Sequence, residues 1–274
     1  MMTFAQRRLR NVALAGFAAI SLVAVDRFYD MSLRDAAFLN GWMLLAAMLF
    51  LSLFNVRKKI HVVPLIPLSA WLQAHIYMGC LAALLFGLHT DFELPNGLLE
   101  TVLWLLFVGM VGSGLLGLLL SRLLPRRISS GGERAIFERI PALRAQLRHR
   151  VADLAMLSVK ETRSSVISDF YAAELAAYLQ HPRNFLHHLF GSTRPLRRMR
   201  ARIDELRRFL DDRGQQILDE VDELVVAKAN LDQQFALQFV LKAWLFVHIP
   251  LNYALLIFTI THVGAVYAFA AGAP

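Results

Sequence analysis

A chain of 274 residues that is 57% hydrophobic and only 18% charged, with a mean hydropathy of +0.47, does not have the composition of a soluble globular domain. Its 29 Lys and Arg against 21 Asp and Glu leave a net charge of +8; in so apolar a chain this basicity is expected on cytoplasmic flanks facing anionic lipid, not on a nucleic-acid surface. The single cysteine, Cys80, excludes an intrachain disulfide, a cysteine-ligated iron–sulfur site and a Cys-x-x-Cys-His haem attachment.

In chain order, five stretches are long and apolar enough to cross a bilayer, which takes about 20 helical residues. The first, residues 10–28, follows Arg7, Arg8 and Arg10. Its basic start and short apolar core resemble a signal peptide, but SLVAVDRF offers no small-x-small cleavage site, so the segment is expected to stay as an anchor. The second covers residues 37–55 and the third 66–90. The fourth, 98–121, contains the glycine-rich run VGMVGSGLLG with Gly109, Gly112, Gly114, Gly117 and Ser113, a composition suited to close helix packing. The fifth, 241–270, is the longest and carries Pro250, whose missing N–H frees the carbonyl of Phe246 and predicts a kink.

Between the fourth and fifth stretches lies a polar insert. SSGGE reads as a flexible opening linker, followed by helical periodicity in residues 133–159 and 165–180. Turns are expected at His181–Pro182 and Gly191–Pro195. From Leu196 the apolar spacing through Ile203, Leu206, Leu210, Ile217, Val221, Leu224 and Leu231 predicts one unbroken amphipathic, coiled-coil-like helix that continues into the fifth span. The basic run 194–208 lacks interleaved aromatic residues and is read as a lipid-facing or partner-docking helix. The expected architecture is therefore all-α. Residues 1–122 form a four-helix membrane part, 123–238 a cytoplasmic helical insert, and 239–274 a fifth helix completing the bundle.

Loop charge sets an expected topology. Arg7, Arg8, Arg10, Arg57, Lys58, Lys59, Arg122, Arg126 and Arg127 flank one side, while DRFYDMSLRD and TDFELPNG are neutral to acidic. The positive-inside rule then puts the N-terminus and insert in the cytoplasm and the C-terminus on the other side, periplasmic if the membrane is a bacterial inner membrane.

Histidines mark the third and fifth spans. AHIYMGCLAALLFGLHT carries His75 and His89, and VHIPLNYALLIFTITHV carries His248 and His262; both pairs are 14 residues apart. Fourteen residues rise about 21 Å and return to within about 40° of the starting direction, so each pair lies on one helix face with one histidine near each side of the membrane. The topology makes the two helices run the same way, which levels His75 with His248 and His89 with His262. Two facing imidazoles at each of two depths, in apolar surroundings, are what two bis-histidine b-type haems require. Zinc does not suit the spacing, because ligands about 21 Å apart on one helix cannot share an ion. His61, His149, His181, His187 and His188 fall in flanking or polar sequence.

This pattern resembles the membrane dihaem cytochromes b, notably the cytochrome b subunit of quinol–cytochrome c oxidoreductases, in which two helices each carry two ligands at this spacing; HIPLNYALLIFTITH is similar to that family's second ligand helix. The resemblance covers about 50 residues and implies that His75 and His248 ligate an inner haem, and His89 and His262 an outer one. Two spans before the first ligand helix, the large insert and the lack of a Pro-Glu-Trp-Tyr motif depart from the family, so bifurcated quinol oxidation is not implied. Ferric reductases and NADPH oxidases share paired histidines on two helices, but no flavin- or nucleotide-binding segment follows the last span here.

Around the ligands, Gly79, Gly87 and Gly264 could admit a macrocycle edge, and Lys242, Arg122 and Arg126 are candidates to meet haem propionates on the inner side, with Arg27 and Arg34 on the outer. The expectation is transmembrane electron transfer through two haem b groups. A quinone is a candidate further ligand, membrane lipid the surroundings, and an iron–sulfur, flavin or c-type cytochrome protein the redox partner. A second copy of the chain is a candidate partner; nucleic acid is not. Two other readings compete: an assembly scaffold acting through its helical insert, and a histidine proton path. The latter is disfavoured because the ligand helices carry no charged residue in their apolar centres.

Overall fold

The computed structural model describes residues 4–32, 35–59, 67–128, 135–180 and 185–270. The helices are α1 (Phe4–Met31), α2 (Ala36–Lys59), α3 (Leu68–His89), α4 (Leu98–Ile128), α5 (Ile140–Thr162), α6 (Val166–Phe170), α7 (Ala176–Gln180), α8 (Phe185–Leu189), α9 (Arg194–Leu206) and α10 (Asp212–Ala270). There is no strand among the described residues. Five helices, α1 to α4 and α10, are long and apolar enough to cross a membrane, compatible with an integral membrane protein. SSGGE and the turn at His181–Pro182 lie outside the described residues.

The chain divides into two compact units, residues 1–116 with 246–274, and residues 117–245. The first has a small core in which Leu44, Ala47 and Met48 of α2 meet Ala82 and Leu85 of α3, Phe107 of α4 and Leu255 of α10. Phe86 stacks on Phe107 with ring centres 4.0 Å apart. Its outside is as apolar as its inside: Phe17, Ile20, Phe246 and Phe269 are all more than two-thirds exposed. Its buried polar residues include Asp26 and Asn40, and these find each other, Asn40 Nδ2 donating to Asp26 Oδ1 at 2.7 Å. Exposed apolar surface on this scale, with polar groups paired inside, is the pattern lipid selects.

The second unit follows the opposite rule. Val151, Ala155, Ile167, Leu175, Leu179, Ile203, Ile217, Leu218, Val221 and Val225 are almost wholly buried in one apolar core. The surface carries ion pairs: Arg200 grips Asp222 through Nε and Nη2, Arg202 meets Glu174, Arg207 meets Asp219, and Arg213 meets Glu161. Helices packed over a buried apolar stripe with charge outside are a water-facing design.

The unbroken helix expected from Leu196 to the fifth span is corrected at one place. α9 ends at Leu206, residues 207–209 tighten into a 3₁₀ turn, and Leu210 is extended at φ −119°, ψ 142°. The cause is local: Asp211 Oδ1 accepts from the Gly214 amide at 2.8 Å and Gln215 Nε2 bridges to the Leu210 carbonyl at 3.3 Å, so a new helix start competes successfully with continuation. Apolar periodicity is blind to that cap because Leu210 stays in the core on either side of the break. Beyond it, α10 runs for 59 residues, about 88 Å, through Pro250 and the fifth apolar stretch, as expected. The turn expected at Gly191–Pro195 is present, with Gly191 at φ 73°. Residues 166–180, expected as one helix, contain a π-helical turn at Tyr171–Leu175.

Inside the second unit sits a charged cluster. Lys228, fully buried, donates to Asp232 Oδ2 at 2.5 Å and lies 3.9 Å above the Tyr178 ring. Arg144 Nε lies 3.2 Å from Asp232 Oδ1, close enough for charge pairing but misaligned for a hydrogen bond, and its guanidinium covers the Phe235 ring at 4.8 Å. One carboxylate thus holds two cations, and the aromatic faces take up the surplus. Asp232→Asn should leave both cations unopposed and destabilise the chain by about 3 kcal/mol or more; a denaturant melt of the full chain shifted by less than about 1 kcal/mol would remove Asp232 from that role.

Burial, and then the negative charge of Asp232, push the Tyr178 phenol up from 10 to about 12. The folded chain therefore favours the neutral phenol, a contribution fully present below pH 10 and lost as pH rises from 10 to 12. The contribution amounts to about 3 kcal/mol at most. Wild type should lose stability across this window, and Tyr178→Phe should lack that component; identical alkaline melts would show that Tyr178 does not titrate there.

Candidate functional site

All four span histidines belong to the first unit and are half-buried. His89 ends α3, and the end is fixed by a Schellman arrangement: the Phe92 amide donates to the Gly87 carbonyl at 2.9 Å and the Asp91 amide to the Leu88 carbonyl at 3.5 Å. Asp91 and Phe92 accept positive φ values of 48° and 57° to close it. The Phe92 ring folds back over Gly87, leaving no space there for a Cβ. Gly87 is therefore occupied by packing.

His89 Nδ1 lies 2.8 Å from the Ala37 carbonyl oxygen. A carbonyl only accepts, so Nδ1 must carry the hydrogen and Nε2 is left with a bare lone pair, the form that ligates a metal. Ala37 is held in turn by the start of α2, where Asp35 Oδ1 accepts from the Phe38 amide at 3.0 Å. Gly41, one turn on from Ala37, lets the imidazole approach; a Cβ there would stand 2.9 Å from His89 Cε1. A hydrogen-bonded, sterically seated imidazole results.

Facing it is His262 of α10. The two ring centres are 6.3 Å apart and the ring planes stand at 84°. With about 2 Å from each nitrogen to a metal and about 1 Å from nitrogen to ring centre, two trans imidazoles hold their centres roughly 6 Å apart. The pair opens on a cavity of about 480 Å³, within the usual size range for cofactor and ligand sites. Leu44, Met48, Phe86, Phe107 and Leu255 give it apolar walls, while Trp42, Trp104 and Tyr267 add aromatic surface. Its lining also holds four carboxylates, Asp35, Asp91, Glu93 and Glu100, and no Lys or Arg among the described residues. Two of these already serve the backbone: Asp35 caps α2, and Glu100 Oε2 accepts from the Gly97 and Asn96 amides at 3.3 and 3.4 Å. The residues fit a planar, apolar-faced group ligated by two imidazoles; propionate-pairing cations are not part of this lining.

The second pair is held by separate neighbours. His75 packs on Phe54 of α2 with ring centres 5.0 Å apart. His248 Nδ1 shares a 3.0 Å hydrogen bond with Ser113 Oγ of α4. One turn beyond His248, Asn252 Nδ2 donates to Ser52 Oγ at 3.1 Å, linking α10 to α2. Within its own unit, then, each of His89 and His248 has a partner on its Nδ1.

The remaining sequence candidates are placed as follows. Lys242 belongs to the second unit, where Glu138 takes its ammonium in a short contact and the Phe137 ring lies 4.2 Å below it. Arg122 is exposed on α4. Arg126 lies on α4 with its side chain outside the described residues, as do the side chains of Arg7, Arg57, Lys58, Lys59 and Arg127; Arg34, His61 and His181 are outside altogether. Arg27 is exposed on α1. Gly79 and Gly264 face open space. In the glycine-rich α4, Gly117 packs so closely on the Trp244 ring that no Cβ could fit, whereas Gly112 and Gly114 touch nothing. Cys80 is exposed. Sequence reasoning missed Ala37, Gly41 and Phe54, because a backbone carbonyl, a notch and a ring stack leave no motif. A Gly one turn after Ala in α2 was the faint signal available.

No family profile, no curated protein and no solved structure matches this chain.

Proposed function

We propose that the chain is a membrane-spanning electron carrier holding two b-type haems, one between His89 and His262 and the other between His75 and His248. The observation that carries this reading is the 6.3 Å, 84° arrangement of His89 and His262 at the wall of an apolar cavity. It is supported by the Nδ1 hydrogen bond of His89 to the Ala37 carbonyl, which leaves Nε2 with its lone pair in the manner of metal-ligating histidines, and by the hydrogen bond that His248 Nδ1 shares with Ser113. Held by these imidazoles, haem iron would supply reversible one-electron chemistry.

The rest is done by the chain's own residues. Ala37 and Ser113 orient the imidazoles, Gly41 admits the His89 ring, and the aliphatic walls exclude water. Carboxylates around the His89–His262 cavity favour the more positively charged, oxidised state and so lower the potential there. The finer architecture belongs to the same proposal: five spans in a bundle, the helical insert at 123–238 cytoplasmic and the C-terminus periplasmic in a bacterial inner membrane. The chain would then pass electrons across the membrane between iron–sulfur, flavin or c-type cytochrome partners, or a quinone.

A pyridine-haemochrome assay on purified full-length protein tests the reading. Close to two b haems per chain are expected. His89→Ala and His262→Ala should each lose one haem and leave the other, and His75→Ala should lose the one they leave. Colourless protein from haem-replete cells would overturn the proposal and leave the helical insert at 123–238 as the working part.

The carboxylates give an independent check. Glu93→Gln should raise the midpoint potential of one haem by on the order of tens of millivolts and leave the second unchanged. Equal shifts of both haems, or none, would detach Glu93 from the His89–His262 site.

A further inference from the structure

The second unit carries a cleft that the electron-carrier reading does not use. It has a volume of about 350 Å³ and is lined by Arg194, Arg198 and Arg202 of α9, His187 of α8, and Glu174 and Tyr178 beneath them. The three arginines recur every four residues, so they stand on one face of the helix. Glu174, the one carboxylate in the lining, is already engaged by Arg202 Nη2 at 2.7 Å.

What separates this cleft from an ordinary basic surface is how the neighbouring arginines are used. Arg200, Arg202, Arg207 and Arg213 are each matched to a carboxylate at 3.2 Å or less. Arg194 and Arg198 have no such partner among the described residues, although both line the cleft. Behind the cleft, Tyr178 is 6% exposed and has the buried ammonium of Lys228 at 3.9 Å against its ring. Arg144, in the same cluster, keeps a buried Nη2 without a hydrogen-bond partner. The amino end of α9 adds its own positive potential at Arg194. Unmatched positive charge thus stands on the cleft wall at Arg194 and Arg198, at the amino end of α9, while the lining's own carboxylate is paired with Arg202 and the Lys228 ammonium behind the floor with Asp232.

We infer that this cleft binds a phosphoryl group, with Arg194 and Arg198 as its direct ligands and the Tyr178 side as its floor. Guanidinium pairs are suited to phosphate oxygens because their planar donors can bond two of them at once. The phosphoryl group could belong to a soluble phosphate ester or to an anionic lipid headgroup, which present the same chemistry.

The test uses the full-length chain in non-ionic detergent. Inorganic pyrophosphate is titrated calorimetrically, and phosphatidic acid is titrated in parallel in mixed micelles against phosphatidylcholine. Saturable binding is expected. It should weaken about tenfold in Arg194→Gln and in Arg198→Gln, about a hundredfold in the double variant, and not at all in Arg197→Gln, an exposed arginine of the same helix outside the cleft. Saturation by pyrophosphate assigns a soluble ligand. Saturation by phosphatidic acid alone, with the same order of variants, assigns a headgroup. Saturable binding of neither, or equal weakening in Arg197→Gln, overturns the inference, the second outcome because it shows only diffuse charge.

Discussion

One helix has to satisfy two solvents. α10 is a single 59-residue element, and its amino-terminal half buries Ile217, Leu218, Val221 and Val225 while its surface carries Asp219 and Asp222 in ion pairs with arginines. From Phe246 onward the logic inverts, and Phe246, Val247, Ile257, Ile260 and Phe269 point outward. A helix can do this because its own backbone hydrogen bonds are indifferent to the medium; only the side chains must change. Both units draw on this one element: its residues from 246 onward belong to the first and those before it to the second.

Within the first unit, apolar burial cannot choose between neighbouring registers, since lipid is as apolar as the helix faces. Directional contacts make the choice. Ser52 with Asn252 links α2 to α10, Ser113 with His248 links α4 to α10, His89 with the Ala37 carbonyl links α3 to α2, and Asn40 with Asp26 links α2 to α1. Each such bond is worth on the order of 1 kcal/mol, small beside the burial terms. Their value is geometric, because slipping one helix by one residue turns every partner away by about 100°. Two of the four bonds end on a span histidine, so the contacts that pack the helices also aim the imidazoles.

What could be read from the sequence follows the same division. Apolar length found all five long helices, since a stretch such as residues 98–121 admits no other structure in lipid. The 14-residue spacing found the faces of the histidines, because helix geometry alone relates them. The break at Leu210–Asp211 escaped it, as did the π turn at Tyr171–Leu175, because apolar spacing records which residues are buried and not which amides are capped. The seating of His89 was likewise invisible: Ala37 contributes a carbonyl that any residue possesses, and Gly41 contributes the absence of a side chain. The charged cluster on Lys228 escaped for a related reason. In α10 the residue reads as one more lysine on a polar face, and only packing against Tyr178 and Arg144 places it in the core.

The separation of His89 from His262 can be set beside the ways in which two imidazoles meet. A direct N–H···N hydrogen bond spans about 3 Å, which with about 1 Å from each nitrogen to its ring centre would bring in-line centres to roughly 5 Å. The observed 6.3 Å, with the planes at 84°, is longer than that and has the geometry of an edge-to-face ring contact. A lone zinc ion would fill the gap, yet zinc wants four ligands, and no group of three or more His, Cys, Asp or Glu side chains converges among the described residues. Two imidazoles, apolar walls and the aromatic faces of Trp42, Trp104 and Tyr267 are what α2, α3, α4 and α10 bring together around this cavity.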